Sequence, residues 1–212
     1  EFVDQNTQKF YELTQKLNCQ FDIWQKGSDQ KTHFPSSQKL WQLCDKAGDI
    51  YKKKYEGLYC VGCEAFYSPE ELNENGECYE HPGKKLDKVS EENYFFKLSK
   101  YQKKLVELIE KDEIRIIPET RKNEVLSFLS QPLQDISISR TNERAKNWGV
   151  PVPGDPNQRI FVWFDALNIY QSGIGFGWNK EKYKKYWPAD VHVIGKGIIR
   201  FHAVYWPAFL LS

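Results

Sequence analysis

The spacing of apolar residues along the chain predicts several amphipathic helices. Over 1–17, apolar positions recur at close to helical spacing between acidic and amide side chains. The same period returns over 93–110, and a shorter run at 123–129 predicts a second short helix in that region. A last helix is predicted from about 198 to the end, where aromatic and aliphatic residues share one face.

A polar stretch at 25–37 predicts a loop near the start of the chain. Pro35 in this stretch is expected to interrupt a helix. Ser36 or Ser37 is expected to cap a helix that runs to about Lys46, because a serine hydroxyl accepts a hydrogen bond from a free N–H of the first turn.

Short apolar runs at 135–140, 159–164 and 191–194 predict strands. The second run follows the proline- and glycine-rich turn 150–158. The second and third runs each lead into a predicted helix. Strands followed by helices predict an α/β fold with a parallel sheet, into which the region 50–115 is inserted.

The composition is that of a folded protein without a strong charge bias. Aromatic residues make up 15% of the 212 residues, and 30 basic residues face 29 acidic ones, so the net charge neither indicates nor excludes a nucleic-acid partner. No apolar run approaches the roughly 18 residues that a membrane helix needs. We expect a soluble, cytoplasmic protein with no membrane contact. The chain has no methionine and ends on the apolar "YWPAFLLS", which indicates a fragment.

Four residues have the spacing of a metal site. Cys60 and Cys63 form C-x2-C, and Cys78 and His81 form C-x2-H after fourteen intervening residues, 64 through 77. Three thiolates and one imidazole complete the tetrahedron of a structural zinc site, which leaves no position for a reactive water. The alternative is that these are ordinary buried cysteines and a turn histidine. An odd total of five cysteines also favours a reducing compartment over a disulfide framework.

Two other functions can be weighed from the residues alone. A stand-alone zinc-ribbon module could hold nucleic acid through lysines at 52–54 and 103–104, although lysines on a helix are usually solvated. A dinucleotide-binding enzyme is suggested by the glycine turn at 195–197. It fails the G-x-G-x-x-G pattern, because the third glycine would fall at Arg200.

A series of motifs resembles the methionyl-tRNA synthetases, a family of class I aminoacyl-tRNA synthetases. In order, they are "YEGLYCVGCEAFYSPEEL", "EENYFFKLSKYQ", "RKNEVLSFL", "DISISR", "WGVPVPGDP", "FVWFDA" and "WPADVHVIGK…RFHAVYWPAFL". The resemblance implies a Rossmann-type parallel sheet interrupted by a connective domain with a zinc knuckle. It implies catalytic-domain segments at 1–42 and 147–212, the latter truncated, and the insertion at 43–146. The parent enzyme would join methionine to ATP, with Mg2+, to form methionyl-adenylate and transfer the methionyl group to tRNA(Met).

The resemblance also implies roles for individual residues. The implied methionine pocket consists of Val162, Trp163, Ala166, Tyr170, Ile198, His202 and Trp206. Residues 198, 202 and 206 are four apart and therefore share a helical face. Aromatic rings pack favourably against a thioether, and the resemblance places His202 near the end of the methionine side chain. Without the resemblance, the better interpretation of this helical face is an aromatic face buried in the hydrophobic core. Arg140 matches an arginine near the reacting carboxylate and phosphate, a role that suits a guanidinium. Gly195 and Lys196 match the ATP edge, and the four metal ligands match a one-zinc insertion.

The chain departs from the family pattern in several places. Gly197 stands where the family usually has an aspartate, and Lys26-Gly27 stands where it tends to have Arg-Thr. The His-x-Gly-His and Lys-Met-Ser-Lys-Ser signatures that grip ATP do not occur. We therefore expect the isolated fragment to be inactive.

Overall fold

The computed structural model of the chain describes residues 2–63, 65–67 and 69–212. The helices are α1 (Phe2–Lys16), α2 (His33–Lys46), α3 (Gln102–Glu110), α4 (Glu119–Leu129), α5 (Asn142–Ala145), α6 (Val162–Leu167), α7 (Ile169–Ser172), α8 (Lys180–Tyr186) and α9 (Trp206–Leu211). The strands are β1 (Ile50–Cys60), β2 (Ala65–Tyr67), β3 (Asp87–Phe96), β4 (Ile136–Ser137), β5 (Ser139–Thr141), β6 (Pro151–Val152) and β7 (Asp155–Ile160). Short 3-10 turns occur at Pro69–Glu71, Leu98–Tyr101 and Lys196–Ile198, and a π-helical turn at Phe201–Tyr205 leads into α9.

The described strands form two antiparallel sheets. The first has the order β2-β1-β3-β4, in which β1 and β3 pair from Ile50 opposite Phe96 to Tyr59 opposite Asp87. The second has the order β5-β7-β6. The sheets adjoin, because the backbone N–H of Ile138, between β4 and β5, donates to the carbonyl of Tyr94 on β3. Strand β1 ends at Cys60, the first of the metal-site cysteines, and the preceding residue, Tyr59, packs against Phe161.

The parallel sheet predicted from the sequence does not occur among the described residues, where all strand pairs are antiparallel. The apolar run 159–164 forms a strand only to Ile160, and its last residues form α6. The segment 191–194 has no regular secondary structure and lies outside both sheets, with Val191 75% and Val193 93% exposed. A strand needs a neighbour for its N–H and C=O groups, so an apolar run alone does not specify a sheet.

Two local predictions were also wrong. Helix α2 begins at His33, and Pro35 lies within its first turn. Proline is tolerated there because the first N–H groups of a helix have no intrahelical partner. The predicted helix 93–110 is α-helical only from Gln102, since Leu98–Tyr101 forms a 3-10 turn and the start of the segment belongs to β3. There, cross-strand pairing with β1 outweighs the helical spacing.

The main core joins segments between Leu40 and Phe209, whereas α1 contributes no buried residue. The ring of Phe209 on α9 lies edge-on to Phe96 on β3, with centroids 4.9 Å apart, and tilted against Phe164 on α6, with centroids 4.6 Å apart. Trp41 on α2 lies edge-on to Phe164, with ring centroids 5.6 Å apart. The core thus fixes α6 and α9, which carry Trp163 and Trp206 of the predicted pocket. None of the described helices has the length and apolar character to cross a membrane.

Candidate functional site

The predicted metal ligands converge at the end of the β1 hairpin. Cys60 ends β1, Cys63 lies in the following turn, and Cys78 and His81 come from the loop before β3. One donor atom from each lies within 4.8 Å of the others. The Nδ1 atom of His81 is 3.7 Å from the Sγ atoms of Cys60 and Cys78 and 3.1 Å from that of Cys63, which is 3.3 Å from Cys78 Sγ.

These separations lie within about 0.5 Å of those around a tetrahedral metal ion. Bonds of about 2.3 Å to sulfur and about 2.0 Å to nitrogen would separate neighbouring donors by about 3.5–3.8 Å. Burial raises the pKa of Cys63 to about 12. Burial acts the same way at Cys78, but hydrogen bonds from His81 and the other two thiols outweigh it and lower the Cys78 pKa to about 7. The donor set matches that of a structural zinc site, with four protein ligands and no open position.

A second cluster forms around Tyr170 on α7. Its ring lies 5.6 Å from the His202 ring and 6.3 Å from the Trp206 ring, between centroids. His202 stands one helical turn after Ile198 and one turn before Trp206. The ring centroid of His192 lies 4.5 Å from that of Tyr170. The structure thus brings together four of the predicted pocket residues, with His192 added.

Hydrogen bonds determine the protonation of His202. Its Nδ1 is 2.9 Å from the carbonyl oxygen of Ile198, which can only accept, so Nδ1 carries the proton. Its Nε2 is 2.7 Å from the Tyr170 hydroxyl and therefore accepts from it. Burial lowers the pKa of His202, although the Ile198 hydrogen bond acts in the opposite direction, and burial raises the pKa of Tyr170. Both side chains are therefore neutral near pH 7, which suits an uncharged ligand side chain.

The other predicted pocket residues lie on α6. Trp163 stacks on Phe201, with ring centroids 3.6 Å apart and planes 5° apart. Its indole Nε1 is buried and has no hydrogen-bond partner in the described part of the chain. Ala166, one turn later, is half-buried, and Val162 packs against a small cluster around Tyr59. Trp163 therefore contacts the ring of Phe201, the residue that comes directly before His202.

Arg140 lies in the second sheet, on β5, and points toward the first. Its guanidinium stacks 3.9 Å from the ring centroid of Phe161 and 4.1 Å from that of Tyr59, and the residue is 7% exposed. Stacking on two rings holds the planar guanidinium in one orientation. Its predicted role beside the reacting carboxylate stays a prediction.

The glycine turn lies at the surface, before the π-helical turn. Gly195, Lys196 and Gly197 are exposed. A Cβ atom at Gly197 would meet nothing within 4 Å, and its φ is not left-handed, so packing does not require glycine there. The first atom of an aspartate side chain would fit in the same place.

Two lysines of the nucleic-acid alternative, Lys52 and Lys104, have acidic partners. Lys52 pairs with Asp155 at 3.1 Å and Glu92 at 3.4 Å, and Lys104 pairs with Glu107 at 3.4 Å. These cations are balanced by neighbouring carboxylates. They do not form a uniformly basic surface for a phosphate backbone.

The whole chain matches one protein family. A family model described as "tRNA synthetases class I (M)" matches residues 1–212. The chain belongs to this family of class I tRNA synthetases. The synthetase match over its full length also disfavours a stand-alone zinc ribbon, which would account for the insertion alone.

Individual relatives agree with the family. The chain is 44% identical to a methionine–tRNA ligase of Brucella suis biovar 1, over 100% of this chain and 41% of that protein. It is 42% identical to one of Thermotoga maritima, over 100% of this chain and 33% of that protein. A crystal structure of Mycobacterium tuberculosis methionyl-tRNA synthetase bound by methionyl-adenylate superimposes with a TM-score of 0.89 and 42% identity, over 98% of this chain and 41% of the other. The synthetase chain thus spans less than half the length of these relatives.

Sequence reasoning missed several residues around the site. His192 belongs to the segment 191–194, where alternate residues are exposed, so a period of two places it on the covered side. Phe201 was missed because it lies one position before His202 and so falls outside the spacing of four that relates residues 198, 202 and 206. His33 on α2 and Ser172 on α7 are fully buried and hydrogen-bonded to each other, but the sequence predicts loops for the stretches that contain them.

Proposed function

We propose that this chain is the central part of a methionine–tRNA ligase. The full-length enzyme joins methionine to ATP, with Mg2+, and transfers the methionyl group from methionyl-adenylate to tRNA(Met), in the reducing cytoplasm. The observation that carries the proposal is the match of the whole chain to methionine–tRNA ligases at 44% identity. The adenylate-bound relative supports the same chemistry.

In this proposal, the methionine side chain lies against Tyr170, His202 and Trp206, with Ile198, Val162, Ala166 and Trp163 completing the wall. Aromatic rings surround a polarisable sulfur favourably. Both ring nitrogens of His202 are engaged, so His202 acts on the ligand by holding the Tyr170 hydroxyl in place. The buried Nε1–H of Trp163 is a donor suited to a substrate oxygen.

The nucleotide is proposed to lie beside Gly195 and Lys196, whose exposed backbone a phosphate or ribose can approach. Arg140 is proposed to stabilise negative charge that develops at the reacting carboxylate. The segment 191–194 is proposed to pair within a Rossmann-type parallel sheet of the full-length enzyme, which would cover Val191 and Val193. Zinc held by the three cysteines and His81 would stabilise the insertion and take no part in the reaction.

Methionine-dependent exchange between ATP and pyrophosphate by the full-length protein tests the proposal. We expect exchange with methionine and not with leucine. Trp163→Ala should raise the KM for methionine on the order of tenfold, because it removes a ring of the pocket wall. Trp148→Ala is the matched control, since Trp148 is 65% exposed and lies outside the cluster. A full-length protein that activates another amino acid in preference to methionine would refute the proposal.

A further inference from the structure

A buried polar network joins the first turn of α2 to α6 and α7. The Nδ1 atom of His33 is 2.8 Å from the Ser172 hydroxyl, and its Nε2 atom is 2.9 Å from an Asp165 carboxylate oxygen. The Ser37 hydroxyl donates to the same Asp165 oxygen at 2.7 Å. His33, Ser37 and Ser172 are each 0% exposed.

The network reaches both ends of the segment that carries part of the proposed methionine pocket. Asp165 stands between Trp163 and Ala166 on α6, and Ser172 follows Tyr170 by two residues on α7. One imidazole ring therefore bridges the beginning and the end of this segment. Because the ring is rigid, it fixes the spacing between the two contacts.

Neighbouring contacts strengthen this connection. The side-chain amide of Asn168, between α6 and α7, donates to Ser36 at 2.9 Å and to Ser37 at 3.2 Å. A Cβ atom added to Gly177 would lie 3.0 Å from the Ser36 backbone, so the loop after α7 also packs closely on this turn. The first turn of α2 thus directs its buried polar side chains to α6 and α7.

The arrangement resembles a serine–histidine–aspartate triad, but it is not suited to hydrolysis. Ser172 and His33 are fully buried, so no substrate can reach the hydroxyl. The carboxylate of Asp165 can only accept, so His33 donates to it from Nε2. A buried polar network adds little stability over apolar packing but holds its members in one geometry.

We infer that His33 is a positioning residue for methionine binding, which holds α6 and α7 so that Trp163 and Tyr170 face the ligand. The inference rests on the proposed function. It predicts that His33 controls methionine affinity without touching methionine or ATP.

Methionine affinity of full-length variants, measured by tryptophan fluorescence or calorimetry, tests the inference. His33→Leu keeps the volume but breaks both hydrogen bonds, and we expect the Kd for methionine to rise on the order of tenfold. The KM for ATP should stay within about twofold, because no ATP contact is removed. His33→Gln, whose amide can still donate to Asp165, should restore most of the affinity.

Val125→Ala is the control for destabilisation alone. Val125 is 2% exposed on α4, outside the network, so this variant should lose stability with an unchanged Kd for methionine. If His33→Leu does not fold, Ser172→Ala carries the same test with the loss of one hydroxyl and an expected rise of about threefold. Unchanged methionine affinity in a folded network variant, or an equal loss in Val125→Ala, would overturn the inference. A wild-type protein that does not bind methionine would instead overturn the proposed function.

Discussion

The metal site allows a sharp test through Gly62, a residue that binds nothing itself. A Cβ atom at this position would lie 2.6 Å from the His81 ring. Ordinary contact begins at about 3.4 Å, so Gly62→Ala must displace the ring by roughly 0.8 Å. Without a metal the ring could swing aside at little cost. A metal-bound imidazole cannot, because its bond of about 2.0–2.1 Å to zinc does not stretch that far.

The expected loss follows from the number of ligands. Structural zinc binding amounts to about 10–16 kcal/mol over four ligands, so losing one costs about 2.5–4 kcal/mol. This corresponds to a zinc affinity lower by roughly two to three orders of magnitude. Competition with a chromophoric chelator on the full-length protein measures the affinity, and mass spectrometry of the metal measures the occupancy.

The matched control is Gly197→Ala, the same substitution at a position where a Cβ atom meets nothing within 4 Å. Zinc affinity should not change in this variant. If Gly62→Ala binds zinc as tightly as the wild type, His81 is not a ligand in the geometry described. If the wild type holds no zinc, the four-ligand site itself is refuted.

Two further predictions concern the core and the pocket. Burial raises the pKa of Cys44 from 9.0 to about 11, so its thiol contributes stability that is complete below pH 9 and is lost as the pH rises to about 11. Two pKa units correspond to about 2.7 kcal/mol of unfolding free energy. Denaturant unfolding of the full-length protein should show this loss between pH 9 and 11, and Cys44→Ala should lack it. Wild type and Cys44→Ala with the same dependence of unfolding free energy on pH would contradict the reasoning. Tyr170→Phe removes the donor 2.7 Å from His202 Nε2 and should weaken methionine binding about tenfold, measured by calorimetry, while leaving zinc content unchanged. An unchanged methionine Kd would show that the hydroxyl does not organise the pocket.

The features that the sequence predicted correctly depend on local spacing. The two knuckles place Cys60, Cys63, Cys78 and His81 within 4.8 Å, because each pair needs only a tight turn and the hairpin brings the turns together. A spacing of four brings His202 within hydrogen-bond reach of the Ile198 carbonyl, since one helical turn separates them. The ordered motifs were sufficient to predict the family, which the match over residues 1–212 confirms.

The remaining features depended on which segments pack together, and local patterns carry no information about that. The start of 93–110 is a strand because β1 pairs with it, and 191–194 stays outside the sheets because no described strand lies beside it. "HFPSS" reads as a loop, yet its polar side chains are buried. They find partners on α6 and α7, 128–139 positions away in the sequence. A buried polar residue and an exposed one look alike in a sequence, because the distant partner that satisfies the buried one is chosen only by the tertiary structure.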